Sequence, residues 1–412
     1  MLTNSPRHDT SRIPATRRWT LCGLLLFATT LNYLDRQTVS VLAERIQTSL
    51  HIGNEALGWI FSAFYYAYTI AQLAVGRLLD RGRLRLLFGV AVLGWSLACA
   101  LTGLARDFAS LLLFRILLAL MESFNWPGAL QIVARVMPEK ERALANGVFT
   151  SGTSIGALIA PGILLALADR FGWNLPFFVV GSLGLFWLAL WIPLTRSRPL
   201  REILNAPLQT RREESAVPWR SPRFRRAFFV TILVNPALYF SLNWLPLFLS
   251  QQRAVHSTRQ LAFVLTLAYL ALDLGNIACG ALLAVLPRRA VVSVASATLL
   301  SAAFTARVAD LSWAVVLICA MNFALGVWIS LYLTIAQEVD PKRISTVAGV
   351  LGASGSLAGA LVMWAVGFVT ERTGSYSLPL AGVAVAGILA AIAAWNTRSP
   401  QKEIAQPEAM LS

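Results

Sequence analysis

Asp35 and Arg36 stand side by side in one apolar run of the sequence, and Arg115 and Glu122 stand seven residues apart in another. On a helix that spacing is two turns along one face, roughly 10 Å along the axis. A charge at membrane depth costs at least ~2.5–3.5 kcal/mol on insertion scales, so an ionisable group kept there points to function. Arginine presents a planar fork that grips a carboxylate through two hydrogen bonds, and it stays charged throughout. A carboxylate balanced between burial and a nearby cation can take up and release a proton. Two arginines and two acids therefore describe an anion site coupled to protons. Arg36 and Arg115 would clamp the anion, while Asp35 and Glu122 would carry protons and compete for the same cations. The alternative is a set of buried ion pairs that hold helices in register, although desolvation can exceed the Coulombic gain of such pairs.

The rest of the chain has to hold these groups in a bilayer. Of 412 residues, 57% are hydrophobic and 13% charged, where a soluble domain carries about 25% charged residues. Runs long enough to cross ~30 Å of hydrocarbon fall at 19–42, 55–79, 86–105, 108–136, 144–168, 173–194, 227–250, 259–286, 290–308, 312–336, 344–370 and 375–396. The expected fold is an all-α polytopic membrane protein with twelve transmembrane helices. A polar stretch at 195–226, rich in Arg, Pro and Glu, divides it into six-helix bundles at 19–194 and 227–396, with tails at 1–18 and 397–412.

Basic residues set the orientation. Of 35 Lys and Arg, Arg36 and Arg115 lie inside spans, and Arg45, Arg106, Arg170, Arg253, Arg259, Arg307 and Arg372 fall in the outer loops. All the others lie in segments that are cytoplasmic if both termini are. The net charge of +15 then needs no nucleic acid as partner. Cys22, Cys99, Cys279 and Cys319 lie in spans without metal-ligand spacing, and His8, His51 and His256 lie outside them. No metal, cofactor or enzymatic nucleophile is expected, and no cleavable signal peptide is evident. Short tails leave no room for a signalling domain, which weighs against a non-transporting membrane sensor.

Several motifs narrow the class. Gly76-Arg-Leu-Leu-Asp80-Arg81-Gly82-Arg83-Leu-Arg85 follows the second span and resembles the loop signature of the major facilitator superfamily, one residue short. Asn32-Tyr33-Leu34-Asp35-Arg36, Phe64-Tyr-Tyr-Ala-Tyr68-Thr-Ile-Ala-Gln72, Arg115 with Glu122-Ser123 and Pro127-Gly128, Pro138-Glu-Lys-Glu-Arg142-Ala and Gly172-Trp173 resemble its anion:cation symporters. That branch includes bacterial hexuronate and galactonate transporters and the vesicular glutamate and sialic acid carriers. Asn243-Trp244-Leu245-Pro246 and Asp273-Leu274-Gly275-Asn276 are similar to the hexuronate-transporter group in particular. The resemblance implies two bundles with a midplane substrate site, proton coupling by Asp35 and Glu122, and import of a small organic anion such as a hexuronate or aldonate by alternating access. It implies a multi-pass protein of the bacterial inner membrane, acting as a monomer among lipids. An exporter or drug antiporter of the same fold is the alternative, although Ser154-Ile-Gly156-Ala-Leu-Ile-Ala-Pro161-Gly162 does not match the antiporter signature.

The remaining candidates are neutral or peripheral. Tyr33, Tyr68 and Gln72 share spans with the charges and could donate to sugar hydroxyls. Asn235, Tyr239 and Asn243 recur every four residues and form one helical stripe. Trp244 before Pro246 marks a break that could serve as a gate, or Trp244 could be an interfacial anchor. Asp273, one turn before Asn276, is either a third proton carrier or ligand, or the cap of an interruption near Gly275. Trp328 and Ser354 are weaker ligand candidates. Asp80 and Arg81 read as a conformational latch, with Asp80 accepting from the amides of a neighbouring helix N-terminus, or as a solvated charged turn. Gly147, Gly152, Gly156 and Gly162 would allow close helix approach.

Overall fold

The computed structural model describes residues 13–206, 219–339 and 344–395, and among these every regular element is helical. The first helices are α1 (Ala15–Val41), α2 (Ala43–Leu50), α3 (Asn54–Asp80), α4 (Leu84–Thr102), α5 (Phe108–Glu122), α6 (Asn125–Val136), α7 (Glu139–Phe171), α8 (Asn174–Leu194) and α9 (Arg198–Asn205). There follow α10 (Pro222–Asn243), the single turn α11 (Leu245–Leu247) continued by a π-turn over Phe248–Gln252, α12 (Thr258–Val285), α13 (Arg288–Leu299), α14 (Ser301–Thr305), α15 (Leu311–Val339), α16 (Ile344–Thr373) and α17 (Ser377–Ala394). Taking α5 with α6, α10 with α11 and α13 with α14, and setting aside the short α2 and α9, gives the twelve spans of the fold.

Three expected spans are interrupted. The seventh bends by 53° between α10 and α11, at the Trp244–Pro246 break. The ninth divides at Leu300. The fourth divides at Ser123–Phe124, immediately after Glu122, because Pro127 has no amide hydrogen and its ring crowds the Ser123 carbonyl one turn earlier. The polar stretch at 195–226 holds α9 and the start of α10. Among the described residues, eight stretches are long and apolar enough to cross a membrane, or nine with the bent α10–α11 pair. Two of the spans that fall short, α1 and α3, carry Tyr33, Asp35, Arg36, Tyr68 and Gln72.

Small residues set the helix spacing. A Cβ on Gly152 or Gly156 of α7 would come within 2.6 Å of the Leu26 carbonyl or 2.5 Å of the Thr30 carbonyl of α1. Gly147 and Gly162 face open space, so only half of the expected glycine set brings helices together. Gly275 of α12 faces the Phe323 carbonyl of α15 so closely that no Cβ would fit. Since α12 runs unbroken through it, Asp273 does not cap an interruption there.

The chain divides into two compact units, Met1–Ile52 with Ala63–Arg211, and Gly53–Ser62 with Arg212–Ser412. The first turns of α3 thus belong with the second unit, where the Ser62 hydroxyl donates to the Ala360 carbonyl at 2.6 Å and Glu371 accepts from the Asn54 amide at 2.5 Å.

Candidate functional site

The first unit holds Asp35, Arg36, Arg115 and Glu122. Asp107 starts α5 with a capping box, accepting from the Ser110 amide at 2.8 Å, and the helix then runs regularly to Glu122. Arg115 and Glu122 are both buried on one face, 2% and 0% exposed. Glu122 does not pair with Arg115 on its own helix. The Arg36 Nε of α1 instead donates to Glu122 Oε2 at 2.8 Å. Of the two acids expected to pair with the arginines, Glu122 does so through Arg36, whereas Asp35 is buried beside the Cys99 thiol and its Oδ1 has no hydrogen-bond partner.

Aromatic rings surround the cations. The Arg36 Cζ lies 4.5 Å from the ring centroid of Tyr68, 5.2 Å from Tyr33 and 5.3 Å from Phe64. The Arg115 Cζ lies 4.5 Å from the same Phe64 ring. Arg115 Nε and Nη1, Glu122 Oε1 and Asn32 Nδ2 are buried without hydrogen-bond partners. Leaving such groups unmatched costs roughly 1–3 kcal/mol each, and more when charged. This combination can hold an anion. Gln72 lies one turn beyond Tyr68 on α3 and is half-buried.

The second unit places its candidates differently. Asn235 Nδ2 donates to the Thr231 carbonyl at 3.0 Å, and Asn243 Nδ2 to the Tyr239 carbonyl at 2.8 Å. Much of the stripe's hydrogen bonding is therefore turned back on its own helix. It packs on the small residues of α16, where Gly355 meets Asn235 and Gly359 meets Tyr239. The Tyr239 hydroxyl bonds the Ser356 hydroxyl at 3.1 Å. Ser356 was missed in the sequence, while Ser354 bonds back to the Leu351 carbonyl. Ser330 Oγ donates to the backbone carbonyl of Asn276 at 3.0 Å, with Asp273 one turn earlier on α12 and half-buried. Trp244 is fully buried against Phe61 and Tyr376, so it is not an interfacial anchor. The indole nitrogens of Trp244, Trp328 and Trp364 have no partner.

The Asp80 contact also departs from expectation. Asp80 accepts from the Gln131 side chain at 2.8 Å, not from helix amides. Gln131 in turn accepts from Arg135, which donates to the Ala206 carbonyl after α9 at 2.6 Å. Arg81 is exposed. The carboxylate that does meet a helix N-terminus is Glu371, at the first amides of α3. Among the described residues, no group of three or more His, Cys, Asp and Glu is placed to hold a metal ion.

The model of the Major Facilitator Superfamily matches residues 25–363. The hexuronate transporter of Bacillus subtilis (strain 168) is 30% identical over 393 residues, covering 89% of this chain and 92% of its own length. The D-galactonate transporter of an Escherichia coli O6:H1 strain is 24% identical over 392 residues, covering 88% and 91%. A bacterial homolog of the human lysosomal transporter Spinster superposes with a TM-score of 0.73 at 19% identity, over 93% of this chain and 96% of that one. That last likeness is one of fold.

Proposed function

The chain belongs to the Major Facilitator Superfamily, whose matched members are membrane transporters and not enzymes, and we propose that it imports a sugar acid, a hexuronate or an aldonate, together with protons. The observation that carries this reading is the fully buried Arg115 with two unmatched guanidinium nitrogens, beside an Arg36 whose Nε is held by Glu122. A buried cation so arranged is poised for a carboxylate. The relatives named for hexuronate and D-galactonate support a polyhydroxy acid as that carboxylate.

In this reading the substrate carboxylate engages Arg115 and draws Arg36 away from Glu122. The released Glu122 is then protonated, and Asp35 and Asp273 are the further proton carriers. Tyr33, Tyr68 and Gln72 in the first unit face the sugar hydroxyls. Asn235, Tyr239, Asn243, Trp244, Asn276, Trp328 and Ser354 are the candidates of the second unit. Asp80, through Gln131, and Arg81 form the latch of an alternating-access cycle. The protein works as a monomer in the bacterial inner membrane with both termini cytoplasmic.

Uptake of D-galacturonate and D-galactonate into proteoliposomes tests this, with and without an imposed pH gradient. Accumulation that requires an acidic side of entry is expected. Uptake of either acid that ignores the gradient would overturn the proton coupling, and uptake of neither would overturn the substrate class.

A further inference from the structure

Phe64 touches both arginines yet has no hydrogen-bonding atom of its own. It is 1% exposed, lies 5.3 Å from the Arg36 Cζ and 4.5 Å from the Arg115 Cζ, and is itself fixed by stacking on Tyr68 and by an edge contact with Tyr65. We infer that Phe64 is a positioning residue for the anion, its ring being the shared platform against which two like-charged guanidinium groups are held. The inference rests on the reading that both arginines bind the substrate.

Two cations drawn towards one site in a low-dielectric interior repel one another. Without an opposing attraction they would separate whenever the anion is absent. A single ring can attract both through its face, and it takes up none of their N–H donors, which stay available to the substrate. Glu122 hydrogen-bonds Arg36, and among the described residues no hydrogen bond or ion pair fixes Arg115. Phe64 is the one side chain whose ring lies under both guanidinium groups among the described residues. The substrate then meets cations already in position, which removes a reorganisation cost from binding.

The test is the affinity of the purified full chain for D-galacturonate or D-galactonate, compared among wild type, Phe64→Leu, Phe64→Tyr, and chains with mono-, di- and trifluorophenylalanine at position 64. Fluorine drains the ring face of negative potential with little change of shape. Affinity is expected to fall stepwise with each fluorine and about 10-fold in Phe64→Leu, in line with the strength of a desolvated cation–π contact, and to stay within about threefold in Phe64→Tyr, which keeps the ring. If Phe64→Leu does not fold, the fluorinated series decides alone. A flat fluorine series, or wild-type affinity in Phe64→Leu, would overturn the platform. Arg115→Gln is the control for the underlying reading: if it binds as wild type does, the arginine clamp itself fails, whereas its loss beside a flat fluorine series removes only the role of Phe64.

Discussion

In the first unit α1 and α5 bury Arg115, Glu122, Asp35 and Asn32 with hydrogen-bonding atoms left unmatched. In the second unit Asn235 and Asn243 donate to their own helix, Ser241 bonds Asn322 at 2.5 Å, and the unmatched side-chain atoms at the candidate positions are indole nitrogens of tryptophan. Unmatched charges are costly and can be relieved by an ion, whereas an unmatched indole N–H is a weaker, neutral donor suited to a hydroxyl or carbonyl. On the function proposed above the two units divide the work: the first carries charge recognition and the Asp35 and Glu122 protons, and the second carries neutral hydrogen bonds beside Asp273.

Substitutions can break that division, beginning with the largest effect. Arg115→Gln should weaken sugar-acid binding about 100-fold, since truncating one side of a buried charged pair costs roughly 2–5 kcal/mol. Arg115→Lys should recover little of it, because lysine keeps the charge but lacks the fork. Equilibrium binding checks both, and near-normal affinity in either variant would move charge recognition elsewhere. Glu122→Gln should abolish gradient-driven accumulation in proteoliposomes while sparing counterflow exchange. Loss of folding and binding together would instead make Glu122 structural.

Effects in the second unit should be smaller. Trp328→Phe and Tyr239→Phe each remove one neutral hydrogen-bonding group, worth about 1 kcal/mol, so affinity should fall about fivefold with proton coupling intact. A loss as large as that of Arg115→Gln would erase the contrast between the units. The smallest effect concerns Asp107 in the loop before α5. The Ser110 amide and hydroxyl hold its carboxyl below the usual carboxylate range. Its folded value is lowered, so its contribution is present above the unfolded value and fades as pH falls through the folded one. The difference in Tm between wild type and Asp107→Ala should therefore shrink on acidification.

The spans were legible in the sequence because apolar runs must match the bilayer, and the four charges stood out because ionisable groups are costly within such runs. The pairing of Arg36 with Glu122, 86 residues apart, depends on how α1 lies against α5, which helical periodicity within each run does not encode. The break after Glu122 did have a signal in Pro127. Gly275 beside Asp273 suggested an interruption, but a glycine serves equally to let a neighbouring backbone approach, and α15 makes that use of it. The physics expected of Asp80, a carboxylate on the amides of a helix start, is found at Glu371 instead, because tertiary placement decides which acid meets which helix end. Phe64 passed as one letter of a motif, since a phenylalanine in an apolar helix carries no mark of the arginines that other helices bring to it.

In the proposed cycle a substrate carboxylate displaces Glu122 from Arg36, and Glu122 is then protonated. Calorimetric titration of the purified protein with the bound sugar acid, repeated in buffers of different ionisation enthalpy, counts the protons exchanged per anion. Net proton uptake on binding is expected in the wild type, with less in Glu122→Gln. Tight binding with no proton uptake, or with the same uptake in both proteins, would contradict it.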